Sequence, residues 1–217
     1  HGKRLEPEQV GVIDDVAAVL TAADPRIWPM KIIRVAASYG RPSPAMAVGH
    51  LVLQTSLLGP ATSEQSARYL LELDDSSDAA LRRGVEGLLA RDKRLAGFGV
   101  AFRDEDERLR MLRECMVRRG RTDLRYWRLG ERMARIVTEL RSARPNIGLG
   151  TAAALLDIGL EPEAIRMLTL GLSEHMRLGN AVEGARQAPA LLQRLPLSDV
   201  RYDGTAPRVS PRARAAG

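Results

Sequence analysis

Cysteine, histidine, lysine and aromatic residues are all scarce in this 217-residue chain, and each scarcity excludes something. A single cysteine, Cys115, cannot pair within the chain, so no disulfide framework holds the fold. The histidines are His1, His50 and His175; widely spaced, they match no zinc pattern with Cys115, and no metal site is expected. Two Trp, four Tyr and two Phe give no stacking platform for nucleic acid. The longest apolar run, 44–60, is interrupted by His50, Gln54 and Thr55 and falls short of a membrane span. No leader is recognisable, so a cytoplasmic protein without membrane contact is expected. The chain opens on His1 instead of methionine and is expected to start inside a longer product.

What is present is 45% hydrophobic and 28% charged residues, enough for a real core in one large or two small domains and too apolar for disorder. The net charge of +6 is carried almost wholly by arginine; Lys3, Lys31 and Lys93 are the lysines. The arginines are scattered among glutamates along helical segments, with Arg208, Arg212 and Arg214 in a short basic tail (208–217). That distribution argues against a specific nucleic-acid surface.

The periodicity is helical from end to end. Val10, Ile13, Val16, Ala17 and Leu20 recur at helical spacing behind Glu6-Pro7-Glu8, and Pro7 suits a first turn. Residues 30–39 form a second helix. Residues 44–58, apolar nearly all round, predict a buried central helix, with His50 a core or interface histidine. Thr62 and Gln65 resemble a capping box opening a helix over 63–73, and Asp78 is placed as the cap of the next, over 79–90. Asp104-Glu105-Asp106-Glu107 leads a helix ending in Arg118-Arg119-Gly120, the charge order a helix dipole favours. Thr122 opens another helix to Arg144, and further helices follow over 149–158 and, unbroken, over 162–187. Strand alternation is absent, and an all-α, multi-helix fold is expected. Cys115, in mid-helix, is read as packing.

Six segments, in order, resemble one family. Gly2-Lys3-Arg4-Leu5-Glu6-Pro7-Glu8 looks like a "GRLPTPEE" entry to a helix, and Asp24 to Gly40, ending Val35-Ala36-Ala37-Ser38-Tyr39-Gly40, like a segment that opens Asp-His and closes on Ser-Thr-Gly. Leu58-Gly59-Pro60 looks like the start of a Gly-Pro-Leu-His motif. Gly97-Phe98-Gly99, with Asp106-Glu107-Arg108 downstream, is similar to Gly-Phe-Gly-His followed by Asp-Pro-Arg. Pro145-Asn146-Ile147 resembles Pro-Asn-Val-Asp, and Arg201-Tyr202-Asp203-Gly204 resembles a closing Arg-Tyr-x-Gly. Together they resemble the citrate synthase superfamily, including its methylcitrate synthase and citryl-CoA lyase relatives. The resemblance implies large and small helical domains. On that scheme 1–62 and 167–207 form the large domain and 63–166 the small one. It also implies a dimer, and chemistry joining an acyl-CoA to a keto acid or splitting the product.

That chemistry needs an aspartate to remove an α-proton, a histidine to polarise the thioester carbonyl and a second histidine to assist attack. At the corresponding positions this chain has Thr62, Val100 and Gly148, and Asp24-Pro25 replaces the upstream Asp-His. A catalytically degenerate relative is expected, serving as a structural, regulatory or ligand-binding subunit. The alternative is an enzyme of the same fold with rewired carbon–carbon bond chemistry or cyclisation on an acyl-CoA or other activated acid. No cofactor is expected beyond a possible acyl-CoA substrate.

The resemblance further implies substrate-carboxylate binding by Arg108, at the arginine of the Asp-Pro-Arg motif. Arg177 and, across a dimer interface, Arg194 or Arg201 are further candidates, since arginine forks suit carboxylates. Glu64, Asp104 and Asp106 are the acids nearest the altered positions, and His175 is the histidine expected near the site. A homodimer, or a heteromer with an intact citrate synthase-like paralogue, is the expected assembly.

Overall fold

The computed structural model describes residues 4–21, 24–55, 58–73, 75–187, 198, 201 and 203–205. Among these, ten helices run in the order α1 (Pro7–Val19), α2 (Trp28–Ala37), α3 (Pro42–Thr55), α4 (Pro60–Glu72), α5 (Asp78–Arg91), α6 (Glu107–Arg118), α7 (Arg125–Arg141), α8 (Ile147–Leu156), α9 (Pro162–Leu172) and α10 (Glu174–Arg186). No strand occurs among the described residues; an isolated antiparallel bridge joins Phe98 and Pro145.

The local signals explain most boundaries. Pro7 stands in the first turn of α1, where Glu6 and Gln9 form the capping box. The acidic lead and arginine finish of α6 end at Gly120, whose φ of 61° is left-handed. Four expectations shift. Ser77, not Asp78, caps α5, its hydroxyl accepting from the Ala80 amide. α7 starts at Arg125 instead of near Thr122, and the half-buried Asp157 carboxylate accepts from the Tyr126 and Trp127 amides, each at 2.9 Å, to close its first turn. The segment over 162–187 is two helices, not one, parted at Ser173. Thr62 is not a cap: α4 begins at Pro60 behind Gly59, which puts Thr62 inside the first turn.

The largest difference concerns which helix is central. α3, expected to be buried, hides only Ala45, Gly49 and Leu53; Leu51 is 65% exposed and His50 is exposed. α8 is the buried helix, with all ten residues from Ile147 to Leu156 inside. Its glycines and alanines carry so little bulk that α1, α4, α6, α7 and α9 all pack against it. A Cβ on Gly150 would come within 2.5 Å of Leu109 Cδ1 on α6, so glycine lets that leucine sit close against α8.

The buried apolar residues form two clusters. The larger joins α1 and α4–α9. The smaller unites α2, α3 and α10 with Leu170 of α9. α1 therefore packs with the larger group, so neither cluster coincides with the 63–166 segment.

Candidate functional site

A cleft of about 670 Å³ lies between the two clusters. α2, the end of α3 and α10 supply one wall; α4, the loop before α6 and the start of α8 supply the other. Thr62, Val100 and Gly148, far apart in sequence, all line it, as do Asp106, Arg108 and His175.

Two turns bring the altered positions together. The Gly99 amide donates to the Arg144 carbonyl and the Asn146 amide to the Gly97 carbonyl, each at 2.8 Å. The Asn146 side chain donates to the Gly99 carbonyl at 2.9 Å and accepts from the Gly148 amide at 2.9 Å, capping α8. Gly97 has a φ of 83°, and a Cβ there would approach the Ser66 hydroxyl to 2.5 Å, so only glycine allows this turn. Val100 is thereby held beside the 146–148 turn. The space next to Gly148 is already taken: a Cβ there would lie 2.6 Å from Thr62 Cγ2. Threonine and glycine fill each other's room.

Asp106 caps α6 and ties it to α8. It accepts from the Arg108 amide at 3.1 Å, from Arg108 Nε and Nη2 at 2.9 and 2.8 Å, and from the Ile147 amide at 2.9 Å. Burial pushes its carboxyl up, but the Arg108 guanidinium and the two amides outweigh that and hold it below its ordinary value. Arg108 thus already grips a carboxylate of its own chain. Asp24, at the cleft mouth, is held well below the usual range by the hydrogen-bonding Arg26 guanidinium and amide, with Arg103 adding its charge. Arg103 also pairs with Glu107. Arg34 on α2 donates to Asn180 at 2.9 Å and pairs with Glu183, both on α10.

The other sequence-derived candidates are placed elsewhere. Arg177 is fully buried behind the cleft wall, donating to the Ser173 hydroxyl at 3.1 Å and the Leu170 carbonyl at 3.2 Å and pairing with Glu174; burial pushes its guanidinium pKa down. Glu64 sits between Arg68 and Arg166, at 2.9 and 3.0 Å, linking α4 to α9. Arg201 is exposed and pairs with Asp203 at 2.8 Å. Arg194 lies outside the described residues. Asp104 is exposed, and its carbonyl accepts from Arg144 at 2.7 Å. Cys115 is buried, and burial raises its thiol. No group of His, Cys, Asp and Glu suited to a metal occurs among the described residues, and no helix there is long and apolar enough to cross a membrane.

Sequence reasoning missed Arg34, Thr169, Ser173 and Asn180, all on the cleft wall. Residues 169–180 straddle the α9–α10 break, and a pattern read as one continuous helix puts them on the wrong faces.

No protein-family model matches the sequence, and comparison with curated proteins finds no match. Solved structures do. Citryl-CoA lyase from Hydrogenobacter thermophilus superposes with a TM-score of 0.75 at 18% identity, over 99% of this chain and 84% of that one. The fold is citrate synthase-like. Citrate synthase from Thermotoga maritima matches with a TM-score of 0.70 at 18% identity, over 98% of this chain but 57% of its own. ATP citrate lyase from Methanosaeta concilii, solved with (3S)-citryl-CoA, gives 0.70 at 14% identity over 98% of this chain and 36% of that one. At these identities the likeness establishes the fold alone, and the chain spans little more than half of that citrate synthase.

Proposed function

We propose that the chain is a catalytically degenerate citrate synthase-like protein acting as a structural, regulatory or ligand-binding subunit. The observation that carries this reading is the wall formed by Thr62, Val100 and Gly148 on one cleft. A methyl-bearing hydroxyl, an isopropyl group and a hydrogen offer neither the base nor the imidazoles that α-proton removal and carbonyl polarisation need. The 2.6 Å approach of Thr62 Cγ2 to a Cβ at position 148 means that a side chain placed there would first have to shift Thr62. Arg108, the expected carboxylate ligand, is engaged by Asp106.

Assembly belongs to the same reading. The exposed apolar residues of α3 suit a dimer, and Arg194 or Arg201 is the arginine that would reach a neighbour's site in a homodimer or in a heteromer with an intact paralogue. The alternative, rewired chemistry on an acyl-CoA or another activated acid, is supported by the size of the cleft, typical of small-molecule sites, and by His175 on its wall.

The test is direct. Purified chain given acetyl-CoA and oxaloacetate should release no free thiol above background. Turnover of about one per second, ordinary for an enzyme, would overturn the reading. Consumption of another acyl-CoA, lost in His175→Ala, would favour the alternative.

A further inference from the structure

The charge pattern of the cleft bears on what it can bind, and the inference rests on the ligand-binding half of the reading above. Arg34, Arg103 and Arg108 line the cleft, and each is already paired within the chain: with Glu183, with Asp24 and Glu107, and with Asp106. Four lining carboxylates against three guanidinium groups leave no surplus of cation. An incoming carboxylate would have to share a guanidinium with an internal one or displace it. For Asp106, only 5% exposed and holding the Ile147 amide as well, displacement would strand a buried charge.

An uncharged partner is called for instead. Thr169, 1% exposed, lines the cleft, and its hydroxyl has no hydrogen-bond partner among the described residues. Helical Ser and Thr hydroxyls ordinarily return to a carbonyl one turn back, as Ser173 does to Leu170 at 3.0 Å. Thr169 does not, and a buried hydroxyl without a partner is costly. The same cleft also presents the apolar side chains Ile27, Met30, Leu53, Pro60 and Met176.

We infer that the cleft takes a small molecule with an apolar body and an uncharged carbonyl, amide or hydroxyl head bonded to Thr169 Oγ1, and that it rejects di- and tricarboxylates.

The test titrates the full chain with hexanamide, hexanoate and citrate, probes that separate shape from charge. Hexanamide should bind at least tenfold more tightly than hexanoate, about 1.4 kcal/mol, with citrate weakest. Thr169→Val removes the hydroxyl at nearly constant volume. It should raise the melting temperature of the unliganded chain by roughly 2 °C, as loss of an unpaired buried group implies, and weaken hexanamide about tenfold. Thr169→Ser, which keeps the hydroxyl, should retain hexanamide binding, and it carries the test if the valine variant does not fold. Equal or tighter binding of hexanoate or citrate overturns the inference. So does an absence of hexanamide binding up to about 50 mM, or unchanged hexanamide affinity in Thr169→Val. Lost hexanamide binding in Thr169→Ser also overturns it. Thiol release from acetyl-CoA would overturn the degenerate reading without touching this charge preference, so the two failures are distinguishable.

Discussion

α3 and α8 are the two strongly apolar helices of the chain, and they end up in opposite surroundings. α8 is enclosed on every side by five helices of its own chain. α3 is covered along one stripe by α2 and α10 and leaves Val48 and Leu51 in solvent. The difference lies in side-chain size and position as much as in hydrophobicity. Gly148, Gly150 and Ala152–Ala154 let neighbours approach α8 closely, whereas α3 carries Met46, Val48, Leu51, Val52 and Leu53 around more of its circumference. Apolarity states that a helix gains from being covered; it does not state what covers it.

The largest effects should come from breaking the α8 side. Leu155→Ala removes a fully buried side chain from the larger cluster and should cost 2–5 kcal/mol, about the range for such cavities. Leu51→Ala on α3 deletes the same atoms where the residue is 65% exposed, and in dilute solution it should stay within about 0.5 kcal/mol. Chemical denaturation of both variants checks the pair. Comparable losses would mean that α3 is covered in solution, and a loss that grows with protein concentration would point to a second chain.

Next in size is the anchor at the start of α8. Asp106→Asn keeps the shape and removes the charge that holds Arg108 and the Ile147 amide. A charge-assisted bond contributes about 1.5–3 kcal/mol, so a loss of that order is expected at neutral pH. Because the folded carboxyl titrates below its ordinary 3.8, its contribution is complete above that value and fades as pH falls through the folded pKa. The gap between wild type and Asp106→Asn should therefore narrow below about pH 3.8 as seen in acid melts. Asp24, held low by Arg26, leaves a residual acid slope in the variant.

Much of this was legible in the sequence. The helical class followed from periodicity, and α1 and α6 from their caps and charge order. The resemblance picked out Thr62, Val100, Gly148 and Arg108, which converge on one cleft although 86 residues separate the first from the third in chain order. Three things were not legible, for physical reasons. Thr62 has the side chain of a cap, yet the positive φ of Gly59 starts the helix earlier. Arg177 is one arginine among many by sequence; only packing reveals it as buried, held by Ser173, Leu170 and Glu174. Arg108 was expected to await a ligand, but Asp106, two residues away, satisfies it first. Local pattern reports what a residue can do, whereas competition among partners decides what it does.

The smaller cluster can be tested on its own. Gly184 brings α10 against the α2 backbone, and a Cβ there would lie 2.7 Å from Arg34 Cα and 2.8 Å from its carbonyl oxygen. Backbone cannot step aside as a side-chain tip can. Gly184→Ala should lose about 1–3 kcal/mol by overpacking, even though alanine favours a helix by about 1 kcal/mol. The loss should appear as earlier proteolysis of α2, α3 and α10 while α8 stays protected from hydrogen exchange. A uniform loss of protection across both clusters would show that the two unfold as one unit.

The smallest effect lies where α8 meets α4. Gly148→Ala should gain up to about 1 kcal/mol from helix propensity but places its methyl 2.6 Å from Thr62 Cγ2 and 3.1 Å from Asn146 Oδ1. In the wild-type background the clash should cancel the gain or exceed it slightly. Thr62→Ala removes Cγ2 and leaves the milder 3.2 Å approach to its Cβ, so Gly148→Ala should be tolerated better there. The expected signature is a favourable coupling of about 1 kcal/mol in a double-mutant cycle, inside the range for residues in contact. Additive losses would mean that the two positions do not share space in solution. Observed coupling would mean that a side chain at 148 is accommodated better once Thr62 has changed. Thr62 and Gly148 would then be energetically linked, which makes the altered cleft a joint state of two helices instead of separate losses.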